Sequence, residues 1–230
     1  MVCIGELSSR GAIDASKSDR LTLRSIKGEA LDYRRIMDLS GKSAVITGGA
    51  SGIGLAAAQA LGSCGARLEL LDVNSAKLET IRSRLIDEGL KVSVRVLDVT
   101  DPKAVADVAA KIKESSGPTD ILVNSAGIAH LHSATEVSDE DWCRVMDVNV
   151  NGTFWCCREF GKGMVEARRG SIVNMGSMSG NIINRPQFAS SYMASKGAVH
   201  QITRALAVEW AKTGVRINAI APGYIGTEMT

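Results

Sequence analysis

Tyr192 and Lys196 stand four positions apart, and Ser177 lies shortly before them. In a helix that spacing puts the phenol and the ammonium on one face, about one turn apart. A phenol with an ordinary pKa near 10 is a poor base at neutral pH, but an ammonium beside it favours the phenolate. Ser177 can donate a hydrogen bond to the same substrate oxygen, so the three side chains together suit a proton relay for a carbinol or a carbonyl.

The stretch that carries them must bring a strand end and a helix face together. Residues 171–175 are an apolar run of strand length, a polar Gly/Ser/Asn/Pro segment follows, and a helical pattern begins near Ser190. Upstream, the alternation is regular. The sequence predicts strands over 43–47, 67–72, 91–98, 120–124, 171–175 and 215–220. Between them it predicts helices that follow the glycine turn, cover 75–88, start at Asp101–Pro102, run within 139–168 and cover 190–212. Alternating strands and helices imply an α/β fold, a Rossmann-type doubly wound parallel sheet with helices on both faces. Ligands of such sheets bind outside the carboxyl ends of the strands.

The turn after the first strand, TGGASGIG, spaces Gly48, Gly52 and Gly54 as GxxxGxG. Glycine lets the backbone approach a pyrophosphate, and the N–H groups at the helix start, near Ser51 and Ile53, favour an anion. Asp72 closes the second strand about twenty positions on, where an acid takes the ribose hydroxyls of a dinucleotide. Its carboxylate repels a 2′-phosphate, and neither Ser51, Val73 nor Asn74 supplies a base for one, so the expected cofactor is NAD. The competing role for Asp72 is to cap the next helix. Asp98 and Val99, after the third strand, suit the adenine, or Asp98 caps the turn before Asp101. Asn124, Ala126 and Gly127 in NSAG suit a close backbone pass after the fourth strand, or a plain turn.

Composition bounds the rest. The chain has 230 residues, 45% of them hydrophobic and 23% charged, which suits one domain, placed at 39–230; residues 1–38 lack periodicity and read as a disordered extension. A net charge of +2 excludes a charge-driven nucleic-acid binder. Five cysteines without CxxC pairing read as reduced thiols. Neither a membrane span nor an apolar signal core is visible, so the expected location is the cytosol, with no membrane partner. His130 and His132 lie near the expected pocket without a third ligand in the pattern, and no metal site is predicted from them.

In combination, TGGASGIG, Asp72, NSAG, Ser177 and Tyr192-MAS-Lys196 resemble the short-chain dehydrogenase/reductase family over about 39–230. The run VNMGSMSGNIINRPQFASSYMASKGAVHQITRALAVEWA is similar to bacterial NAD-dependent polyol dehydrogenases of the galactitol type. The resemblance implies oxidation of a secondary alcohol, a sugar alcohol, to its ketone, with a small polyol or ketose as substrate. It also implies a catalytic tetrad. Tyr192 is the acid/base, Lys196 binds the nicotinamide ribose and lowers the Tyr192 pKa, and Ser177 holds the substrate oxygen. Asn149 holds a water that links Lys196 to solvent; read from the residues alone, it is a buried amide in a kinked helix. The common family spacing of thirteen from serine to tyrosine fits Ser179, but the strand-end motif NMGS favours Ser177.

Pro222, Gly223, Ile225 and Thr227 are implied to contact the nicotinamide carboxamide, while Asn184 and Gln187 are candidates for a polar substrate pocket. Family members usually continue past the PGxxxT segment with a covering helix pair and a further edge strand. The expectation is therefore a missing lid and edge strand, with strand 215–220 unpaired at the edge. A homodimer through helix 139–168 and the next helix is expected, with the family tetramer impaired. LDYRRIMDLSG resembles the family's start and places the start site near Leu31. Two other readings stay open: a truncated, non-catalytic NAD-binding protein, and an NADPH-dependent 3-oxoacyl reductase, which Asp72 opposes.

Overall fold

Six parallel strands form one sheet in the order β3-β2-β1-β4-β5-β6. The structure, a computed structural model, describes residues 37–183, 185 and 188–228. The extension expected over 1–38 lies outside these but for its last two residues. In chain order the elements are β1 (Ser43–Thr47), α1 (Gly52–Ser63), β2 (Arg67–Asp72), α2 (Ser75–Asp87), β3 (Val92–Val96), α3 (Pro102–Ser116) and β4 (Ile121–Asn124). There follow α4 (Asp139–Met146), a π-helical turn (Asp147–Asn151), α5 (Gly152–Glu166), β5 (Gly170–Met175), a short 3-10 turn (Met178–Gly180), α6 (Ser190–Glu209) and β6 (Val215–Ile220).

The central strands β1 and β4 are covered on both faces and read as continuous apolar runs, whereas the edge strands β3 and β6 carry exposed residues such as Ser93 and Arg216. Successive residues of β1 alternate sides. Val45 joins a core with Val105 and Ile112 of α3 and Phe160 and Met164 of α5. Ala44 and Ile46 join the opposite core, with Ala58 of α1 and Leu78 and Leu85 of α2. Strand order reverses beside β1, whose last residue, Thr47, lies opposite Leu71 on one side and Asn124 on the other. That is the switch point at which a crevice opens in this fold class.

The helix starts explain the element boundaries. The Asn74 side chain accepts from Lys77 N and caps α2. Asp101 accepts from Lys103 and Ala104 N, with Pro102 beside it, and caps α3. Ser138 accepts from Asp141 N and caps α4. These are the polar side chains that satisfy first-turn donors. The third strand stops at Val96 rather than Asp98, because Asp98 turns back to bond Thr100 N and its hydroxyl. The long helix expected within 139–168 is broken by the π turn. Part of the apolar surface read there as a pairing face is ordinary core, since Val145 is fully buried and Phe154 and Trp155 pack on the α3/α5 side. Among the described residues, no helix is long and apolar enough to cross a membrane.

Candidate active site

A cavity of about 870 Å³ opens at the carboxyl ends of the strands and includes Gly48, Asp72, Gly127, Ser177, Tyr192 and Lys196 in its wall. Its floor is the glycine turn. Gly48 has φ +63°, and a Cβ there would meet Ala126 N at 2.8 Å, so the turn and the NSAG segment touch backbone to backbone. Thr47 Oγ1 clamps them by accepting from Ser125 N and Ala126 N, each at 3.2 Å. Ser51, Gly52 and Ile53 line the cavity at the start of α1, where no side chain caps the helix.

Gly54 is not in the wall. A Cβ on it would stand 2.2 Å from Gly48 O, so it lets helix and turn pack rather than touching a ligand. Asn124 is also displaced from its expected place. It is the last residue of β4 and its side chain turns into the protein, where Nδ2 donates to Asn174 Oδ1 at 2.9 Å and lies 3.3 Å from Cys157 Sγ. The wall begins one residue later, with Ser125, Ala126 and Gly127. Asn174 Nδ2 continues the chain of bonds to Thr203 Oγ1 at 3.0 Å. Asn124 Oδ1 has no partner among the described residues.

Asp72 and Asp98 both line the cavity. Asp72 accepts from Ala50 N at 3.2 Å and Asn74 N at 3.0 Å, tying the glycine turn to the end of β2. The cap of α2 belongs to Asn74, and the cap of α3 to Asp101, so neither helix needs Asp72 or Asp98. Val99 stands beside Asp98, and Pro222, Gly223, Ile225 and Thr227 form another part of the wall.

Lys196 is 5% exposed, and its Nζ donates to Met175 O at 2.7 Å. Burial pushes its pKa down to about 8, so the ammonium persists at neutral pH. Its Nζ lies 5.6 Å from the centre of the Tyr192 ring, as the four-residue spacing requires. Ser177 is in the wall and its Oγ accepts from Ser179 N at 3.1 Å. Ser179, which the spacing favours, is buried in the 3-10 turn and is not among the lining residues.

Asn149 sits in the π turn, behind the wall. Its Oδ1 accepts from Ile128 N, and its Nδ2 donates to Ile128 O and to Ser195 Oγ, each at 2.9 Å. The amide therefore fixes the loop beyond Gly127 to helix α6. Asn184 and Gln187 lie outside the described residues.

His200 belongs to the site's support and was missed. Its Nε2 accepts from Ser177 N at 3.4 Å, and Nδ1 meets Asn181 Oδ1 at 3.1 Å, an arrangement that needs the neutral Nδ1–H tautomer. Burial first, then Arg204 and Lys196, lower its pKa and keep it neutral. Continuing the four-residue step from Tyr192 through Lys196 reaches it, so the signal was present. Glu140, Cys143 and Arg144 of α4 also line the cavity, and only the packing of α4 reveals that.

A family model described as short chain dehydrogenase matches residues 42–230. Galactitol 2-dehydrogenase (L-tagatose-forming) of Cereibacter sphaeroides is 56% identical over 201 residues, 87% of this chain and 78% of that protein. The solved structure of gox2181 superposes with a TM-score of 0.84 at 43% identity, covering 86% of this chain and 77% of that one. A gluconate 5-dehydrogenase from Burkholderia cenocepacia J2315, solved in complex with NADP and tartrate, superposes with a TM-score of 0.81 at 32% identity, covering 86% and 76%.

Proposed function

The chain belongs to the short chain dehydrogenase family, and we propose that it interconverts a secondary alcohol of a sugar alcohol and the corresponding ketone with NAD. The observation that carries this reading is the sharing of one cavity by Tyr192, Lys196, Ser177 and the glycine turn.

The cavity suits a dinucleotide. Glycine backbone, an uncapped helix start and a carboxylate about twenty positions on are the features that hold pyrophosphate and ribose. Gly48, Gly52 and Ile53 would take the pyrophosphate, Asp72 the adenosine ribose, and Pro222, Gly223, Ile225 and Thr227 the carboxamide. When bound there, NAD supplies the acceptor for a hydride from the carbinol carbon.

The chain's own residues handle the proton. Tyr192 Oη takes it from the substrate hydroxyl and returns it in the reverse direction. Lys196 stays cationic at neutral pH and favours the phenolate that can accept it. Ser177 Oγ donates to the substrate oxygen and so holds the carbinol carbon in place. Asn149 acts as a positioning residue, through Ile128 on one side and Ser195, next to Lys196, on the other.

Asp72 supports NAD over NADP, since a carboxylate there would face a 2′-phosphate. The chemistry falls to the unit 39–230, acting as a cytosolic homodimer on a small polyol or ketose. The test is NADH formation, read by its near-ultraviolet absorbance, with galactitol and a panel of other polyols. Turnover with NAD, weaker with NADP and lost in Tyr192→Phe, is expected. Tight NAD binding without turnover of any polyol would support the non-catalytic reading instead.

A further inference from the structure

Outside the cavity, three electron-pair donors converge that the sequence pattern left apart. His130 and His132 lie on the loop after β4, and Asp141 lies in the first turn of α4. One ligand atom from each sits within 4.8 Å of the others. Asp141 Oδ1 is 3.4 Å from His130 Nδ1, and its Oδ2 is 4.0 Å from His132 Nε2.

Those distances discriminate between two uses. A charge-assisted hydrogen bond between imidazolium and carboxylate closes to about 2.7–2.9 Å, and a 4.0 Å separation is no hydrogen bond at all. A tetrahedral ion with bonds of about 2.0–2.2 Å places its ligands about 3.4 Å apart, which the His130–Asp141 separation matches, and the His132 ligand atom lies within 4.8 Å of both. We propose that His130, His132 and Asp141 form a binding site for a zinc-like divalent ion at the rim of the cavity.

Two imidazoles with one carboxylate select zinc, cobalt or nickel over magnesium or calcium. Three protein ligands leave a fourth position for water. The backbone beside the ligands is fixed. Ser138 Oγ accepts from Asp141 N at 3.0 Å, and between the histidines and the helix Ser133 O accepts from both Glu136 N and Val137 N at 3.0 Å. All three side chains are partly exposed, which leaves an entry path. The ion would tie together two parts of the cavity wall, the loop that carries Ile128 and the helix that carries Glu140, Cys143 and Arg144. Its role is a staple, and it takes no part in the proton relay.

This inference does not depend on the proposed reaction, because its readouts are binding and stability. Zinc chloride is titrated into the metal-stripped full chain by calorimetry, and the melting temperature is followed. One equivalent is expected to bind, with Tm rising about 5–10 °C at a hundredfold excess over Kd. Cobalt chloride is expected to give the visible bands of a tetrahedral site. His130→Ala/His132→Ala should lose at least tenfold in affinity, while Cys143→Ser, which removes the exposed thiol two positions from Asp141, should leave zinc affinity unchanged. His132→Ala alone, at an exposed side chain, covers the case in which the double variant fails to fold. Equal zinc binding by the histidine variants, an equal Tm rise with magnesium chloride, or no rise with zinc overturns the site.

Discussion

The two halves of the sheet are built differently. On the side of β1, β2 and β3 the interior is apolar, with Ile46, Leu68, Leu70, Leu78 and Leu85 fully or almost fully buried. Glu69, a buried charge there, is paired with Arg95 at 3.3 Å. On the side of β4, β5 and β6 the interior holds Asn124, Asn149, Asn174, Ser195, Lys196, His200 and Thr203, all buried. The first half builds its turn on close backbone approach, at Gly48 and Gly54, where a Cβ would meet backbone atoms, and ties it in place through Thr47 and Asp72. The second holds side chains in place with other side chains. Holding side chains in a fixed direction requires buried polar partners at a cost, whereas a tight backbone turn needs only close approach.

Breaking each half in its own currency sharpens the contrast. The largest effect is expected at Tyr192→Phe, with turnover falling about a thousandfold and NADH fluorescence titrations still giving parental affinity. Next comes Gly54→Ala on the backbone-built side. Its Cβ would meet Gly48 O at 2.2 Å, and chemical denaturation should show a loss of about 3 kcal/mol together with NADH binding.

Asn174→Leu strikes the polar side. It strips partners from Asn124 and Thr203, and denaturation should show a loss of about 2 kcal/mol.

Lys196→Met is expected to do the reverse at neutral pH, stabilising the fold by about 2 kcal/mol while abolishing activity. The sign follows from the folded pKa of about 8, which lies below the ordinary 10.5. Between those values the unfolded chain binds more protons, so the parent gains stability as pH rises from 8 to 10.5 and the variant's advantage disappears. Denaturation midpoints at pH values on either side of that window check it. The smallest effect, about tenfold, is expected from Asp72→Ser in the ratio of NADP to NAD turnover, measured by initial rates.

The same contrast explains what could be read from the residues alone. Glycine spacing was legible because a turn packed backbone to backbone admits one residue type, and the Tyr192/Lys196 face was legible because helical periodicity fixes it. The side-chain half depends on which elements pack together. Asn124 was read with its neighbours as part of the ligand wall, yet one residue decides whether a strand end faces the core or the crevice. The π turn at Asn149 carries no periodic signature. Counting positions favoured Ser179 and the strand-end motif NMGS favoured Ser177; the course of the chain after β5 puts Ser177 in the wall. Asp141 could not be matched to His130 and His132 until α4 was placed beside their loop.

The central claim, that one cavity joins Tyr192 to a bound nicotinamide across a carbinol carbon, is tested most directly by isotope transfer. Galactitol and related polyols deuterated at the secondary carbons are incubated with NAD and the full chain, and the NADH formed is weighed by mass spectrometry. Deuterium in NADH from the native chain, with the labelled NADH formed about a thousandfold more slowly by Tyr192→Phe, is the predicted result. Undeuterated NADH from the native chain, or transfer at an equal rate by Tyr192→Phe, would contradict it.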